Sequence, residues 1–298
     1  MMKKLCATVT FGLLVACSSG GEAALQFDGA VALSYAEAQM NFGNRIPGTE
    51  AHRQTGDWIL AQLRSRADSV VVQEFSHVTV DGDTLHLRNF IGKFRPEMSE
   101  RILYVAHWDT RPTADNERNV AQRRLPTPGA NDGASGVALL MGVADELQRE
   151  PPIYGVDLLF VDGEDFGDFG VDKDVFLGSR YFADNLPDEY RPLFAVVFDM
   201  VGDADLRLPQ EGYSRDGAPE VVDRVWAKAR ELGLGNTFQS TVGNWVRDDH
   251  IPLQQAGIRA IDVIDFDYPA WHTTDDTLDK LSARSLAIVG SVAVALVR

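Results

Sequence analysis

The segment GANDGASGVALLMGVADELQREPPIYGVDLLFVDGED, residues 129–165, decides the fold class of this chain. Apolar residues at helical spacing predict a helix over Gly133–Arg149, and Val156–Val161 is a run of strand length that is apolar except for Asp157. A helix that leads into a buried strand is typical of parallel sheets covered by helices. The segment therefore predicts an α/β fold in which the acidic residues at 162–165 follow the carboxyl end of a buried strand.

The same alternation of strand and helix continues through the rest of the chain. The patterns predict further strands at Val70–Val78, Thr84–Phe94, Ile102–Ala106, Leu193–Phe198 and Ala260–Ile264, and further helices at Gly48–Ser65, Pro219–Leu232, Asp249–Ala256 and Ser282–Val297. The turn Asp81-Gly82-Asp83 joins the first two strands and predicts an antiparallel hairpin. We expect one α/β domain with a mixed, largely parallel central sheet covered by helices.

Length and composition exclude several classes of protein. The 298 residues are 45% hydrophobic, which is enough for a sizeable core. Asp and Glu number 44 against 28 Lys and Arg, so the formal charge is −16. This balance argues against nucleic-acid binding, because that affinity depends on basic residues that neutralise phosphates. The two cysteines exclude a disulfide scaffold and a cysteine-rich zinc ribbon.

The N-terminal sequence MMKKLCATVTFGLLVACSSGG, residues 1–21, predicts an export signal. Lys3 and Lys4 precede an apolar stretch, Leu5–Ala16, that is too short to span a bilayer. Small residues lead to Cys17, an arrangement that resembles a bacterial lipobox. Processing there would leave Cys17 as the lipidated first residue; the alternative is an ordinary signal peptide with an incidental cysteine.

This interpretation divides the chain into three parts. We expect residues 1–16 to be a lipoprotein signal peptide, residues 17–33 to be the lipidated N-terminus and its tether, and residues 34–298 to be the α/β domain. The expected location is the periplasmic side of a bacterial cell envelope, on the outer membrane. The chain would contact the membrane only through its lipid anchor.

Polar residues follow the predicted strands at their carboxyl ends. The clusters are His107-Trp108-Asp109, Asp162-Gly163-Glu164-Asp165, Asp199 and Trp271-His272. Ligands bind at this edge of open α/β sheets, and Asp132 joins it from the turn before a helix. Carboxylates and imidazoles that converge without a thiolate would repel one another unless a cation were present, and they suit zinc.

Each cluster also has a structural interpretation when it is taken alone. Asp132 and Asp248-Asp249-His250 could cap helices, and Asp162–Asp165 could be a solvated acidic loop. Trp271 could belong to the core, and His272 could be a buried structural histidine. Their joint placement at one edge of the sheet favours a metal site over these alternatives.

The motifs, in order, form a recognisable set. They are AHWDTRP (106–112), GANDGASG (129–136), DGED (162–165), DMVG (199–202), DDHIP (248–252) and WHTTDD (271–276). This set resembles the zinc-dependent glutaminyl cyclases, or glutaminyl-peptide cyclotransferases, in their bacterial lipoprotein form. They share a superfamily and a zinc-aminopeptidase-like fold with the two-zinc aminopeptidases. The first motifs mark only the superfamily, whereas DDHIP and the Trp before the His look specific to the cyclases.

The resemblance implies a role for each matching residue. It makes Asp132, Asp165 and His272 the ligands of one zinc ion, and it makes Glu164 the carboxylate that shuttles the proton. The remaining matches are Asp199 and Asp248, a pair of acids hydrogen-bonded to each other beside the metal, and Trp271, a wall of the substrate pocket. Two positions depart from the animal enzymes: Asp165 replaces Glu, and Arg247 replaces Gln.

The implied activity is conversion of the N-terminal glutamine of peptides or exported proteins to pyroglutamate with release of ammonia; whether N-terminal glutamate is accepted stays open. The alternative is a two-zinc aminopeptidase with Glu164 as base, Asp132 between the ions, and His107 and Asp199 on the second ion. A non-catalytic lipoprotein on the same fold is a further alternative. A serine hydrolase is disfavoured because Ser135 lacks the spacing of a nucleophile elbow.

Overall fold

The computed structural model describes Leu25 and residues 27–298. The predicted signal peptide, Cys17 and residues 18–24 and 26 of the predicted tether lie outside these residues. Within the described part of the chain, no helix is both long enough and apolar enough to cross a bilayer.

A mixed sheet forms the centre of the fold. The strands are β1 Ser69–Val78, β2 Thr84–Phe94, β3 Arg101–His107, β4 Gly155–Val161, β5 Phe194–Asp199, β6 Leu208–Gln210, β7 Phe238–Val242 and β8 Ala260–Ile264. Six of them form a sheet in the order β1-β2-β4-β3-β5-β8. Strands β4, β3, β5 and β8 run parallel, and the antiparallel hairpin β1–β2 joins β4 antiparallel. The predicted mixed, largely parallel sheet is confirmed.

Helices cover both faces of this sheet. They are α1 Gly29–Met40, α2 Glu50–Arg64, α3 Ala134–Arg149, α4 Leu177–Asp184, α5 Gly212–Gly217, α6 Pro219–Glu231, α7 His250–Gln255 and α8 Ala283–Ala295. The structure adds α1, α4 and α5 to the predicted helices, and the short pair β6–β7 to the predicted strands. The added strands and helices are short, except α1, which has 12 residues but no clear apolar period.

Helix α1 shows that the folded part of the chain begins earlier than residue 34. The helix starts at Gly29, inside the range predicted for the tether, and the Asp28 side chain accepts hydrogen bonds from its first amides. Ala32 and Ala36 are fully buried, and Phe27 is buried just before the helix. A side chain at Gly29 would collide with the backbone of Ala283, so the helix packs directly on α8.

The alternating side chains of β3 connect the two layers of the core. Ile102 and Tyr104 face the layer that includes α3 and α8, and Leu103 and Val105 face the layer that includes α4 and α7. Each such side chain contributes about 1.5–3 kcal/mol when it is fully buried. Because β3, β4, β5 and β8 are parallel, their carboxyl ends lie along one edge, and this rigid edge carries the site.

Candidate active site

The predicted functional residues come from the ends of parallel strands and from the loops that follow them. His107 and Asp199 are the last residues of β3 and β5. The others lie beyond strand ends or beside helices: Asp132 before α3, Glu164 and Asp165 after β4, Asp248 before α7, and Trp271 and His272 after β8. The fold therefore brings together the predicted site residues that lie within the described chain.

Asp132, Asp165 and His272 form a group that could hold a metal ion. One donor atom from each lies within 4.8 Å of the others, and all three residues are buried. His272 Nε2 is 3.4 Å from Asp165 Oδ1 and 3.7 Å from Asp132 Oδ2. Asp165 Oδ2 is buried without a hydrogen-bond partner. Two carboxylates and an imidazole, with one buried oxygen unpaired, fit a zinc ion.

Second contacts orient these ligands. The Nδ1 of His272 lies 3.0 Å from Asp115 Oδ1, which leaves Nε2 directed toward Asp132 and Asp165. Arg111 donates to Asp115 over 2.7 Å and to Asp165 over 2.8 Å. Burial lowers the pKa of His272, but the carboxylates of Asp165, Asp115 and Asp132 outweigh it and raise the pKa to about 9.

A second group shares Asp132. His107 Nε2 is 3.1 Å from Asp132 Oδ1 and 3.2 Å from Asp199 Oδ1. These three residues also place their donor atoms within 4.8 Å of one another. A side chain at Gly133 would reach within 2.4 Å of His107 Nε2, so this close approach requires glycine. The site therefore has enough donor atoms to hold either one metal ion or two.

Two buried aspartates that sequence reasoning did not assign hold the loops of the site. Asp276 accepts hydrogen bonds from the amides of Asn131 and Asp132 at 2.8 and 3.2 Å. Asp109 accepts from the amides of Glu164 and Asp165 at 3.0 and 3.1 Å. Both lie in quoted motifs, but only the fold reveals that each carboxylate fixes the backbone of a predicted metal ligand.

Glu164 is placed for proton chemistry. Its side chain is buried, lines the cavity of the site and lies 3.8 Å from His107 Nδ1. Burial raises the pKa of Glu164 well above its usual value, His107 opposes this rise, and Asp248 and Asp165 add to it. A carboxylate whose pKa is raised is a stronger proton acceptor than an ordinary exposed one, as general base chemistry requires.

Asp199 and Asp248 lie beside Glu164 in the same lining. The resemblance predicts a hydrogen bond between them; in the structure Asp199 Oδ1 lies 3.2 Å from His107 Nε2, and Asp248 accepts a hydrogen bond from the amide of Asp249. Both carboxyl oxygens of Asp262 in β8 are buried without a hydrogen-bond partner among the described residues, and burial and the charge of Asp248 raise the pKa of Asp262. Burial, the larger effect, and the charges of Asp132 and Asp248 raise the pKa of Asp199 to about 7, against the effect of His107.

A cavity of about 200 Å³ opens above these groups. Apolar side chains form its walls: Phe169, Met200, Val246, Ile264, Phe266 and Trp271. The Trp271 ring packs against Phe266 at 4.7 Å and against His272 at 4.0 Å between centroids. Trp271, predicted to contact substrate, thus lines the cavity next to a predicted metal ligand.

The fold and this site define a metal-dependent enzyme class, and the sequence identifies the family. The profile of peptidase family M28 matches residues 89–297, and the chain belongs to this family.

The chain is similar both to glutaminyl cyclases and to an aminopeptidase. The structure resembles glutaminyl cyclase of Bacteroides thetaiotaomicron, with 35% identity, 91% of this chain and 98% of the other covered, and a TM-score of 0.88. A leucine aminopeptidase precursor from the same organism matches with 35% identity, coverages of 91% and 97%, and a TM-score of 0.88. Glutaminyl-peptide cyclotransferase of Drosophila melanogaster is 26% identical, over 82% of this chain and 75% of the relative.

Proposed function

We propose that this enzyme is a zinc-dependent glutaminyl-peptide cyclotransferase that converts N-terminal glutamine to pyroglutamate. One observation carries the proposal: a small, aromatic-walled cavity contains Glu164 and Asp248 directly beside the Asp132–Asp165–His272 group. Its volume of about 200 Å³ suits a single glutamine side chain. The match to a bacterial glutaminyl cyclase over nearly all of that chain supports the same function.

Asp132, Asp165 and His272 would hold one zinc ion beside this cavity. When bound, zinc acts as a Lewis acid that polarises the γ-amide carbonyl of the substrate. Asp115 and Asp276 support the ligand residues, because they fix the His272 ring and the Asp132 backbone. Mutation of such supporting groups typically weakens metal binding without removing a ligand.

Glu164 would carry the proton between two nitrogens. The α-amine of a peptide has a pKa of roughly 7.7–8.0 and must lose its proton before it can attack. The neutral amine then attacks, and the Glu164 carboxylate accepts one of its two remaining protons as the bond between the α-nitrogen and the γ-carbonyl carbon forms. It then donates the proton to the amide nitrogen, which leaves as ammonia when its bond to the same carbon breaks.

Asp248 would hold the substrate amine in register for this attack. Its side chain lines the cavity, and one of its carboxyl oxygens accepts a hydrogen bond from the amide of Asp249. The nucleophile and the electrophile belong to one residue, so orientation within a closely fitting cavity supplies much of the rate enhancement. The Trp271 wall limits the bent conformations that the glutamine side chain can adopt.

A two-ion aminopeptidase is the second candidate, and the His107–Asp132–Asp199 group favours it. In that mechanism Glu164 would act as the base for a water molecule, and Asp199 would be a ligand instead of a neighbour of the amine. The match to a leucine aminopeptidase precursor is consistent with this candidate.

The product of one incubation separates the two candidates. A synthetic peptide that begins with glutamine is incubated with the enzyme, with and without a chelator, and its mass is measured. The proposal expects a peptide lighter by one ammonia only when the metal is present. Release of free glutamine and a peptide shorter by one residue would support the aminopeptidase instead.

We also propose that the enzyme is a lipoprotein of the bacterial envelope that modifies exported chains. The proposal is based on the sequence of residues 1–21, in which Cys17 follows a short apolar stretch. Lipidation at Cys17 would place the cavity where newly exported N-termini are presented.

A further inference from the structure

The rim of the cavity carries a positive charge although the protein as a whole is strongly acidic. Arg247 lines the cavity beside Trp245, and its side chain is 41% exposed. The chain has a formal charge of −16, and the floor of the same cavity is formed by carboxylates. A guanidinium at this position therefore differs in charge from its surroundings.

Arg247 is held in place by a shared aspartate. Its Nη2 lies 2.9 Å from Asp172 Oδ1, and Nη2 of Arg180 lies 2.6 Å from the same oxygen. One carboxylate thus serves two guanidinium groups, and the three side chains together retain one positive charge. The ion pair with Asp172 holds the Arg247 side chain at the rim. Because Arg180 shares the same carboxylate, this pair does not neutralise the positive charge of the group.

The positions of the residues that line the cavity indicate where a peptide substrate would meet the charge of Arg247. Asp248, the next residue, and Glu164 face the interior of the cavity, where the amine of the first residue would react. The rest of the peptide must leave past exposed side chains at the rim, and these include Arg247 and Trp245, which is 55% exposed. A long arginine side chain beside this exit can reach the second residue of the peptide.

We propose that Arg247 determines specificity by binding an acidic side chain at the second position of the substrate. The proposal rests on the proposed cyclase function, since it assumes that the first residue is consumed in the cavity. Trp245 would provide an apolar surface for the same residue. The carboxylates at the floor of the cavity repel acidic substrates in general. The contribution of Arg247 is therefore measured as the change in preference for an acidic second residue when the Arg247 charge is removed.

The test compares three peptides that begin with glutamine and carry Glu, Gln or Lys as the second residue. The ratio of kcat/KM for Glu over Lys is measured for the wild type, R247Q, R247K and D172N at low salt. We expect R247Q to lower the ratio about threefold, as for a partly exposed ion pair, and R247K to keep most of it. We expect D172N to raise the ratio, because Arg247 would lose its competing partner.

Two controls keep the outcome specific. R230Q removes the same charge from the far end of α6, outside the cavity lining, and should leave the ratio unchanged. The effect of R247Q should shrink at high salt. A ratio equal in the wild type and R247Q, with all three peptides cyclised, would overturn the inference alone. Failure of every peptide to cyclise would instead overturn the proposed function.

Discussion

Replacing Glu164 by Gln removes one charge from a buried cluster while it preserves the volume of the side chain. The carboxylate lies 3.8 Å from His107 Nδ1 and interacts with Asp165 and Asp248, but its carboxyl group is outside the Asp132–Asp165–His272 group. We therefore expect zinc binding to remain. Proton transfer by a positioned group contributes about 10²–10⁴-fold, so kcat/KM should fall by about 10³-fold.

The loss of activity should not reflect loss of structure. Burial and the neighbouring carboxylates disfavour the ionised form of Glu164. Metal-free E164Q should therefore unfold at the same temperature as the metal-free wild type or at a higher one. The assay measures ammonia release and zinc content on the same preparation. E37Q, the same change at an exposed position of α1, is the control. Loss of zinc from E164Q would mean that the roles of Glu164 and Asp165 have been exchanged.

Three further predictions concern the metal, the pH dependence and the anchor. His272→Ala should abolish stoichiometric zinc binding, and Asp115→Asn should weaken zinc affinity about 10–100-fold. Competition with a chelator measures both affinities. Unchanged zinc affinity in both variants would show that His272 is not a zinc ligand. The metal-free protein should lose stability as pH rises. Folding raises the pKa of Asp199 and Asp276 from 3.8 to about 7 and that of His272 from 6.5 to about 9, so the native state binds more protons than the unfolded state between these values. An equal free energy of unfolding in urea at pH 5 and at pH 8 would contradict this. Cys17→Ala should move the protein out of the membrane fraction, and an intact mass without acyl chains on the wild type would refute the anchor.

Sequence patterns predict the parts of the site that depend on local order. The run at residues 156–161, apolar except for Asp157, gives β4 within one residue, and the acidic residues at 162–165 follow directly after this buried strand. His107, Glu164 and Asp199 therefore come together once the strands are known to be parallel. The strand pattern also places Asp132 and His272 at this edge, and the motif resemblance adds Asp248 and the role of each residue.

Contacts between distant segments are the part that sequence order does not reveal. Asp276 holds the backbone of Asp132 across 144 residues, and Asp115 orients His272 from a separate loop. Helix α1 is a second example, because small residues such as Ala32 and Ala36 give no strong period and become a buried face only against α3 and α8. In each case the role of the residue depends on a contacting residue that is distant in the sequence.

The central claim is that one ion suffices for cyclisation, and titration of zinc into the metal-free enzyme measures this directly. Zinc is added in steps to chelator-treated enzyme, and pyroglutamate formation from a glutamine-initiated peptide is recorded against the bound zinc per chain. The account predicts that activity rises linearly and reaches its plateau at one ion per chain. A plateau at two ions, or recovery only of cleavage after the first residue, would contradict it.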